Sequence, residues 1–237
     1  MRAREVIGAA LRTYRQQFGR VAATAFAVFG TVAVIDALAT ILIVDHVSSS
    51  VGDAITSTVA AVISMAGVVV YAGILDKVVG AHLHGHRHLR IRQMWAVLPL
   101  GRLVAADAVL AVSTLAGTAL FVLPGIVIFT LWSLVGPVIT IEDREVAAAF
   151  GRSWQLVRRH FWLTLCLVTL PLEVEQAALH AIHYTELFDH PVAPAFLLNG
   201  LLGMVVGSIV GLVEVVLAYE LIARSDERAS KAATPAR

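Results

Sequence analysis

The sequence predicts an all-α integral membrane protein with six transmembrane helices and about three basic amphipathic helices on the cytoplasmic side. Three observations support this prediction. The 237 residues are 58% hydrophobic and only 15% charged, with a mean hydropathy of +0.81, whereas soluble domains carry about 25% charged residues. Long apolar runs recur along the chain. Lys and Arg are confined to four short regions. The formal net charge of +1 argues against a nucleic-acid partner.

Six apolar runs are long enough to cross a bilayer, which takes roughly 20 residues. The first run is too long for the apolar core of a signal peptide, so we expect it to be retained as a span. The third and fourth runs are separated only by Leu123-Pro124-Gly125, which predicts a tight hairpin there. The six runs cover residues 21–44, 54–78, 103–123, 126–141, 161–184 and 196–222.

The positions of the 18 Lys and Arg residues predict the orientation of these spans. They lie before the first span, around the connection between the second and third, between the fourth and fifth, and after the sixth. The other connections contain none. Cytoplasmic loops are enriched in Lys and Arg. We therefore expect a multi-pass protein of the cytoplasmic membrane with both termini in the cytoplasm.

The basic segment before the fifth span, "GRSWQLVRRHFW" at 151–162, has amphipathic character. Five apolar side chains in and around it fall within about an 80° arc of a helical wheel: Val146, Phe150, Trp154, Val157 and Phe161. Arg152 and Arg159 point away from that arc. The helix could lie in the membrane interface, with its arginines at anionic head groups, or its apolar stripe could pack on the bundle. The predicted lipid and interface residues are Arg152, Trp154, Arg158, Arg159, Phe161 and Trp162.

An amphipathic segment also precedes the first span, and a weaker one precedes the third, so a three-fold repeat is a further hypothesis. Each repeat would contain one amphipathic helix and one helical hairpin, at 1–80, 81–142 and 143–222. Together they would form one membrane domain over 1–222. Residues 223–237 are polar and alanine-rich, which predicts a disordered cytoplasmic tail.

A stretch of about forty residues from Phe121 to Trp162 resembles the membrane domain of bacterial glycerophosphoryl diester phosphodiesterases and its stand-alone relatives. The resemblance is carried by several features in order: Leu123-Pro124-Gly125, Pro137, Glu142, Arg152-Ser153-Trp154 with Leu156, and Phe161-Trp162. It implies a polytopic helical domain in a bacterial cytoplasmic membrane. It implies no phosphodiesterase activity, because the catalytic barrel of those enzymes has no counterpart in this sequence.

Ionisable and polar residues inside the apolar runs are candidate functional groups, because inserting them into a membrane is costly. In the fifth span, several of them share one helical face. They could line a polar cavity formed by spans 1, 5 and 6, or simply make interhelical hydrogen bonds. The candidates are Asp36, Asp107, Glu173, Gln176, His180, His183, Tyr184 and Glu214.

The sixth span carries glycines at regular spacing, which allow another helix to approach closely. They are Gly200, Gly203, Gly207 and Gly211. Close packing of this kind suits a partner membrane protein or a homo-oligomer.

Two groups of histidines are candidate metal ligands. The tract "HLHGHRH" contains His82, His84, His86 and His88, but neighbouring arginines would repel a cation. A second, weak candidate set lies on the opposite side of the membrane, at His46, His180, His183 and His190. Neither group is strong enough to predict a metal site, and we expect no cofactor.

The sequence contains no recognisable catalytic motif. We therefore expect a non-enzymatic accessory or scaffold protein of the membrane that binds anionic lipid or a partner protein. Two alternatives remain. One is a transporter-like protein that moves a small solute, proton or lipid through the polar cavity. The other is an intramembrane enzyme.

Overall fold

The computed structural model describes residues 98–175, residue 177 and residues 192–233, together with shorter stretches between residues 4 and 34 and between residues 71 and 80. In these described parts, every regular element is helical and no strand occurs. Three helices are long and apolar enough to cross a membrane: Leu100–Leu120, Val122–Glu142 and Val205–Arg228. They overlap the predicted third, fourth and sixth spans, the sixth with a shift of six to nine residues. The first and second predicted spans lie largely outside the described residues.

The helices α1 (Leu100–Leu120) and α2 (Val122–Trp132) form a tight antiparallel hairpin. The single residue between them, Phe121, is extended. The predicted turn at Leu123-Pro124-Gly125 is therefore displaced, because Pro124 and Gly125 lie in the first turn of α2. Proline is tolerated there because an N–H at this position would have no intrahelical partner.

Glycines allow the two helices of this hairpin to pack closely. A Cβ atom on Gly125 would lie 2.9 Å from the backbone nitrogen of Thr118, and one on Gly117 would lie 3.1 Å from the Cα of Gly125. Such distances are too short for a side chain carbon against backbone atoms. The outer faces of both helices expose large apolar side chains: Val112, Leu115, Leu120, Phe121 and Leu123. This surface is typical of contact with lipid.

A short turn at Ser133 and Leu134 joins α2 to α3 (Val135–Glu142). Ser133 donates its hydroxyl hydrogen to the carbonyl oxygen of Thr130 at 3.0 Å, which satisfies one carbonyl at the end of α2. The α3 helix ends at Asp143, whose φ of 50° is left-handed. Aspartate tolerates this conformation better than most residues, so the chain can reverse into α4 (Val146–Val157).

After α4, the chain turns at Arg158–His160 into α5 (Phe161–Thr164), which continues through a π-helical turn at Leu165–Thr169. Helical structure then resumes to residue 175. Pro171 lacks the N–H that would bond to the carbonyl oxygen of Leu167, four residues back. Leu167 lies within the wider π-helical turn. The hydroxyls of Thr169 and Thr130 are hydrogen-bonded at 2.9 Å, which ties this turn to α2.

The last helix, α6 (Val192–Ala233), is 42 residues long. Residues 223–233, predicted to begin a disordered tail, are therefore helical. Their sequence contains good helix formers such as alanine and arginine, and Arg224 pairs with Glu220 one turn earlier, at 3.5 Å. The sequence-based prediction gave too little weight to this local helix propensity.

The core lies between α3, α6 and the helical residues 71–77 and 79–80, called here the 71–80 segment. Leu134, Val138 and Ile139 are fully buried, as are Val215 and Leu217 on α6. The candidate site lies at the end of this core where α3 ends and polar side chains begin.

Candidate anion-binding cleft

Three of the four basic regions of the sequence meet at one end of the helices. Arg102, at the start of α1, pairs with Asp143 after α3 at 2.7 Å. Lys77 Nζ donates to the carbonyl oxygen of Thr140, near the end of α3, at 3.2 Å. Arg152 on α4 lies 3.5 Å from Asp226 on α6. These contacts bring together residues that are far apart in the sequence.

The central ion pair joins Glu142 and Arg152. The nearest nitrogen–oxygen distance is 3.0 Å, and the two side chains are only 13% and 15% exposed. Arg152 also donates to the hydroxyl of Ser225 at 3.0 Å, and Arg144 forms a second pair with Glu142. Through Arg152, the end of α3, the middle of α4 and the C-terminal part of α6 are connected.

Two further contacts fix α4 against the bundle. Ser153, fully buried, donates its hydroxyl hydrogen to the carbonyl oxygen of Leu131 at 2.9 Å. The rings of Phe150 and Trp132 meet edge to face, with centroids 4.9 Å apart. Ser153 is thus a structural contact between α4 and α2, and α4 is held at a defined position beside α6.

A cleft of about 500 Å³ lies between α4, the Arg158–His160 turn and the C-terminal part of α6. Its lining contains five arginines and one histidine: Arg152, Arg158, Arg159, Arg224, Arg228 and His160. Arg152 pairs with Glu142 and Asp226, and Arg224 pairs with Glu220. Arg158, Arg159 and Arg228 form no ion pair with any residue that the structure describes. The cleft therefore carries an excess of positive charge.

This positive charge affects the pKa of His160, which lines the cleft. Burial lowers the pKa of His160 below its ordinary value, and the nearby guanidinium groups of Arg228, Arg224 and Arg159 lower it further. Both effects favour the neutral form of the ring. An anion in the cleft would offset the surrounding positive charge and favour protonation of His160.

The structure separates the predicted interface residues into two groups. Arg152, predicted to point away from the apolar arc of the helix, is largely buried in the ion network. Trp154, on that arc, is 45% exposed. The buried residues of α4 are Ala149, Ser153, Leu156 and Val157, and Val146 and Phe150 of the predicted arc pack against the same core. The arc left out Ser153 and Arg152, which hydrogen bonds and ion pairs allow to be buried.

The remaining interface candidates lie at or near the cleft. Arg158 and Arg159 are exposed in its lining. Trp162 is 75% exposed, and its ring packs edge to face on Phe161 at 5.5 Å. Exposed tryptophan next to arginine is typical of a membrane–water interface.

The predicted intramembrane residues are only partly brought together. Asp107 and Glu214 are half-buried and interact electrostatically with each other. Glu173 is exposed. Asp36, Gln176, His180, His183 and Tyr184 lie outside the described residues, so the proposed cavity between spans 1, 5 and 6 lies beyond what the structure describes.

The glycines of the sixth span lie on α6. A Cβ atom on Gly211 would lie 3.4 Å from Leu75 and 3.5 Å from Tyr71, so Gly211 faces the 71–80 segment. Gly207 is half-buried. Gly200 and Gly203 are helical, and their surroundings lie outside the described part.

No three His, Cys, Asp or Glu side chains are grouped closely enough to hold a metal ion within the described part of the chain. The histidines of "HLHGHRH" lie outside that part, as do His46 and His190.

Sequence reasoning missed two features of this region. Asp76 is buried beside Thr140, although the sequence placed it only at the end of the second run. Ser225 and Asp226 were assigned to a disordered tail. Their role depends on α6 continuing past the membrane, which hydropathy alone does not indicate.

No protein-family model, curated protein or solved structure matches the chain. The class of protein therefore follows from its helices: it is a helical protein with membrane-spanning segments and a basic cleft at one end.

Proposed function

We propose that the chain is a non-enzymatic, multi-pass accessory protein of the bacterial cytoplasmic membrane that binds phosphate-bearing anionic lipid in the arginine cleft. One observation carries this proposal: five arginines line a single cleft, and three of them lack a carboxylate partner among the described residues. Guanidinium groups bind phosphate oxygens through paired, charge-assisted hydrogen bonds.

The position of the cleft supports a lipid ligand. It lies at the basic end of the apolar helices, and the positive-inside rule assigns that end to the cytoplasm. The exposed Trp154 borders it. Anionic lipids are enriched at the cytoplasmic surface and attract basic clusters by about 1 kcal/mol per Lys or Arg.

The resemblance to phosphodiesterase membrane domains is consistent with this proposal and rests on the quoted residues alone. Glu142 and Arg152, two of those residues, form the ion pair beside the cleft. Their contacts give the motif a structural meaning, which is to hold α4 against α3 and α6 so that the cleft forms.

The test compares lipid binding by the purified protein and by a triple variant, Arg158→Gln, Arg159→Gln and Arg228→Gln. Binding to phosphatidylglycerol-containing nanodiscs or vesicles is measured against pure phosphatidylcholine. At about 1 kcal/mol per arginine, the triple variant should bind anionic lipid roughly a hundredfold more weakly. Lys231→Gln is the control, because Lys231 lies on the same helix and outside the cleft lining.

Two outcomes would contradict the proposal. One is equal affinity of the wild-type protein for anionic and neutral vesicles. The other is equal weakening by the triple variant and by Lys231→Gln. Competition with inorganic phosphate distinguishes a membrane lipid from a free anion, because a site for free phosphate is saturated by phosphate in the absence of vesicles.

A further inference from the structure

A buried carboxyl group in the core lacks one of its expected partners. Asp76 is only 2% exposed. Its Oδ2 accepts a hydrogen bond from the Thr140 hydroxyl, and its Oδ1 has no hydrogen-bond partner among the described residues. An unpartnered oxygen in such surroundings is rare in folded proteins and calls for an explanation. Ionisable residues inside membrane helices are costly to insert, so they too are functional candidates.

A second carboxyl group lies beside Asp76 because of the packing of the 71–80 segment on α6. Gly211 faces Leu75, and Gly80 faces the hydroxyl of Tyr219. The residue numbers rise together, so the two helices are parallel. Each advances about 1.5 Å per residue, which places Asp76 and Glu214 at nearly the same level. The two side chains interact electrostatically.

Among the described residues, few charged or titratable groups lie near this pair. Lys77 is electrostatically coupled to Asp76, and its ammonium group donates to Thr140. Asp107 on α1 interacts with Glu214, and Tyr219 on α6 interacts with Asp76. One ammonium group thus faces several carboxyl groups. It can offset one negative charge, but not two adjacent ones in apolar surroundings.

We infer that Asp76 and Glu214 together form an intramembrane binding site for one exchangeable proton. The proton is shared between the two carboxyl groups, and Asp76 Oδ1 is the free acceptor position. Proton release leaves two like charges on adjoining helices, which then repel each other across their contact. The step is a simple transfer between a carboxyl oxygen and water. This site is separate from the arginine cleft and does not depend on lipid binding there.

The test uses a hydrophobic carbodiimide. The O–H of a protonated carboxyl group adds across one C=N bond of this reagent, and rearrangement of the adduct leaves the whole reagent attached to the protein. The full-length protein in nanodiscs is labelled at pH values from 5 to 9, and the labelled peptides are identified by mass spectrometry. The wild type should be labelled at Asp76 or Glu214, with labelling lost as the pH rises.

Single variants test whether the two groups act as a pair. In Asp76→Asn and in Glu214→Gln, the remaining carboxyl has lost its like-charged neighbour. It should lose its label at a lower pH than in the wild type, by about one pH unit. Glu173→Gln is the matched control, since Glu173 is exposed on another helix, and it should leave the labelling curve unchanged.

Three results would overturn the inference: no label on either residue at any pH, unchanged curves in both variants, or protection by Na⁺ but not by choline at equal ionic strength. The last result would indicate a metal-cation site instead. If the variants do not fold, infrared titration of the wild type serves as the test. A buried carboxyl C=O band that disappears as the pH rises supports the inference, and the lack of any such band overturns it. Either measurement is independent of the lipid-binding test.

Discussion

The Glu142–Arg152 pair shows how single residues set the position of a whole helix. Both side chains are largely buried, and each has a second partner, Arg144 for Glu142 and Asp226 for Arg152. Burying a charge is unfavourable unless it is paired and hydrogen-bonded. The pair therefore fixes α4 in the one place where both charges are satisfied.

Replacing Glu142 tests this conclusion. Glu142→Gln should destabilise the protein by about 2 kcal/mol, somewhat less than the about 3–5 kcal/mol of a fully buried pair, because both side chains keep some exposure. The free energy of unfolding in detergent is the measurement. Glu145→Gln is the control, since its exposed carboxylate lies 3.7 Å from Arg102, and exposed pairs contribute about 0–1 kcal/mol. Equal losses in both variants would contradict this account.

His160 makes a second residue-scale prediction, on pH. The pKa of His160 is lowered in the folded protein. Its contribution to stability is therefore fully present above the pKa of the unfolded state, and it is lost as the pH falls through the pKa of the folded state. Arg228→Gln should raise the pKa of His160 toward its ordinary value. An anionic lipid in the cleft should raise it as well.

Histidine NMR of the labelled protein, with His160→Gln to assign the resonance, measures this pKa directly. A pKa of His160 that does not respond to either Arg228→Gln or anionic lipid would contradict the assigned position of the charges around the ring.

At the scale of elements, the close packing of the α1–α2 hairpin depends on Gly117 and Gly125. A Cβ atom on Gly125 would collide with the backbone of Thr118, whereas one on Gly101 would meet nothing within 4 Å. The hairpin is therefore closely packed at its tip, whereas Gly101 lies on an exposed face of α1. The sequence predicted a hairpin here, but not which glycine contact closes it.

Matched alanine substitutions test the packing of this hairpin. Gly125→Ala should destabilise the protein by about 1–3 kcal/mol, because overpacking against backbone atoms forces the helices apart. Gly101→Ala should be neutral or slightly stabilising, since alanine is the better helix former. Thermal unfolding in detergent compares the two. A tolerated Gly125→Ala would mean that the tip of the hairpin can open without cost.

Among the described residues, basic side chains from three regions of the sequence lie at one end of the helices, which makes a prediction about topology. Cys166 is the only cysteine, so Cys166→Ser provides a cysteine-free background. In that background, Glu227→Cys should react with a membrane-impermeant thiol reagent only from the cytoplasmic side. Phe121→Cys, at the opposite end of α1, should react only from the other side. Labelling of both from one side would contradict the orientation.

The sequence by itself determined that the protein is helical and membrane-embedded, because a bilayer requires long apolar runs and these can be read directly from composition. It also located α1 and the apolar stretch of α2 and α3 to within about four residues, and the apolar part of α6 to within about nine. It predicted that a basic segment at 151–162 lies beside the membrane. Apolar runs and helical periodicity carry this information, since both depend only on residues that are near each other in the sequence.

Only the tertiary structure decided which face of α4 is buried, that Arg152 is an internal ion-pair partner, and that the arginines after the sixth span complete the cleft. These features depend on contacts between different helices, such as Ser153 with Leu131 and Arg152 with Ser225, which is 73 residues away in the sequence. A helical wheel counts a polar residue as solvent-facing, because it has no knowledge of partners that are distant in sequence. Whether a charged or polar side chain can be buried is decided by those partners, and they are brought together only by the fold.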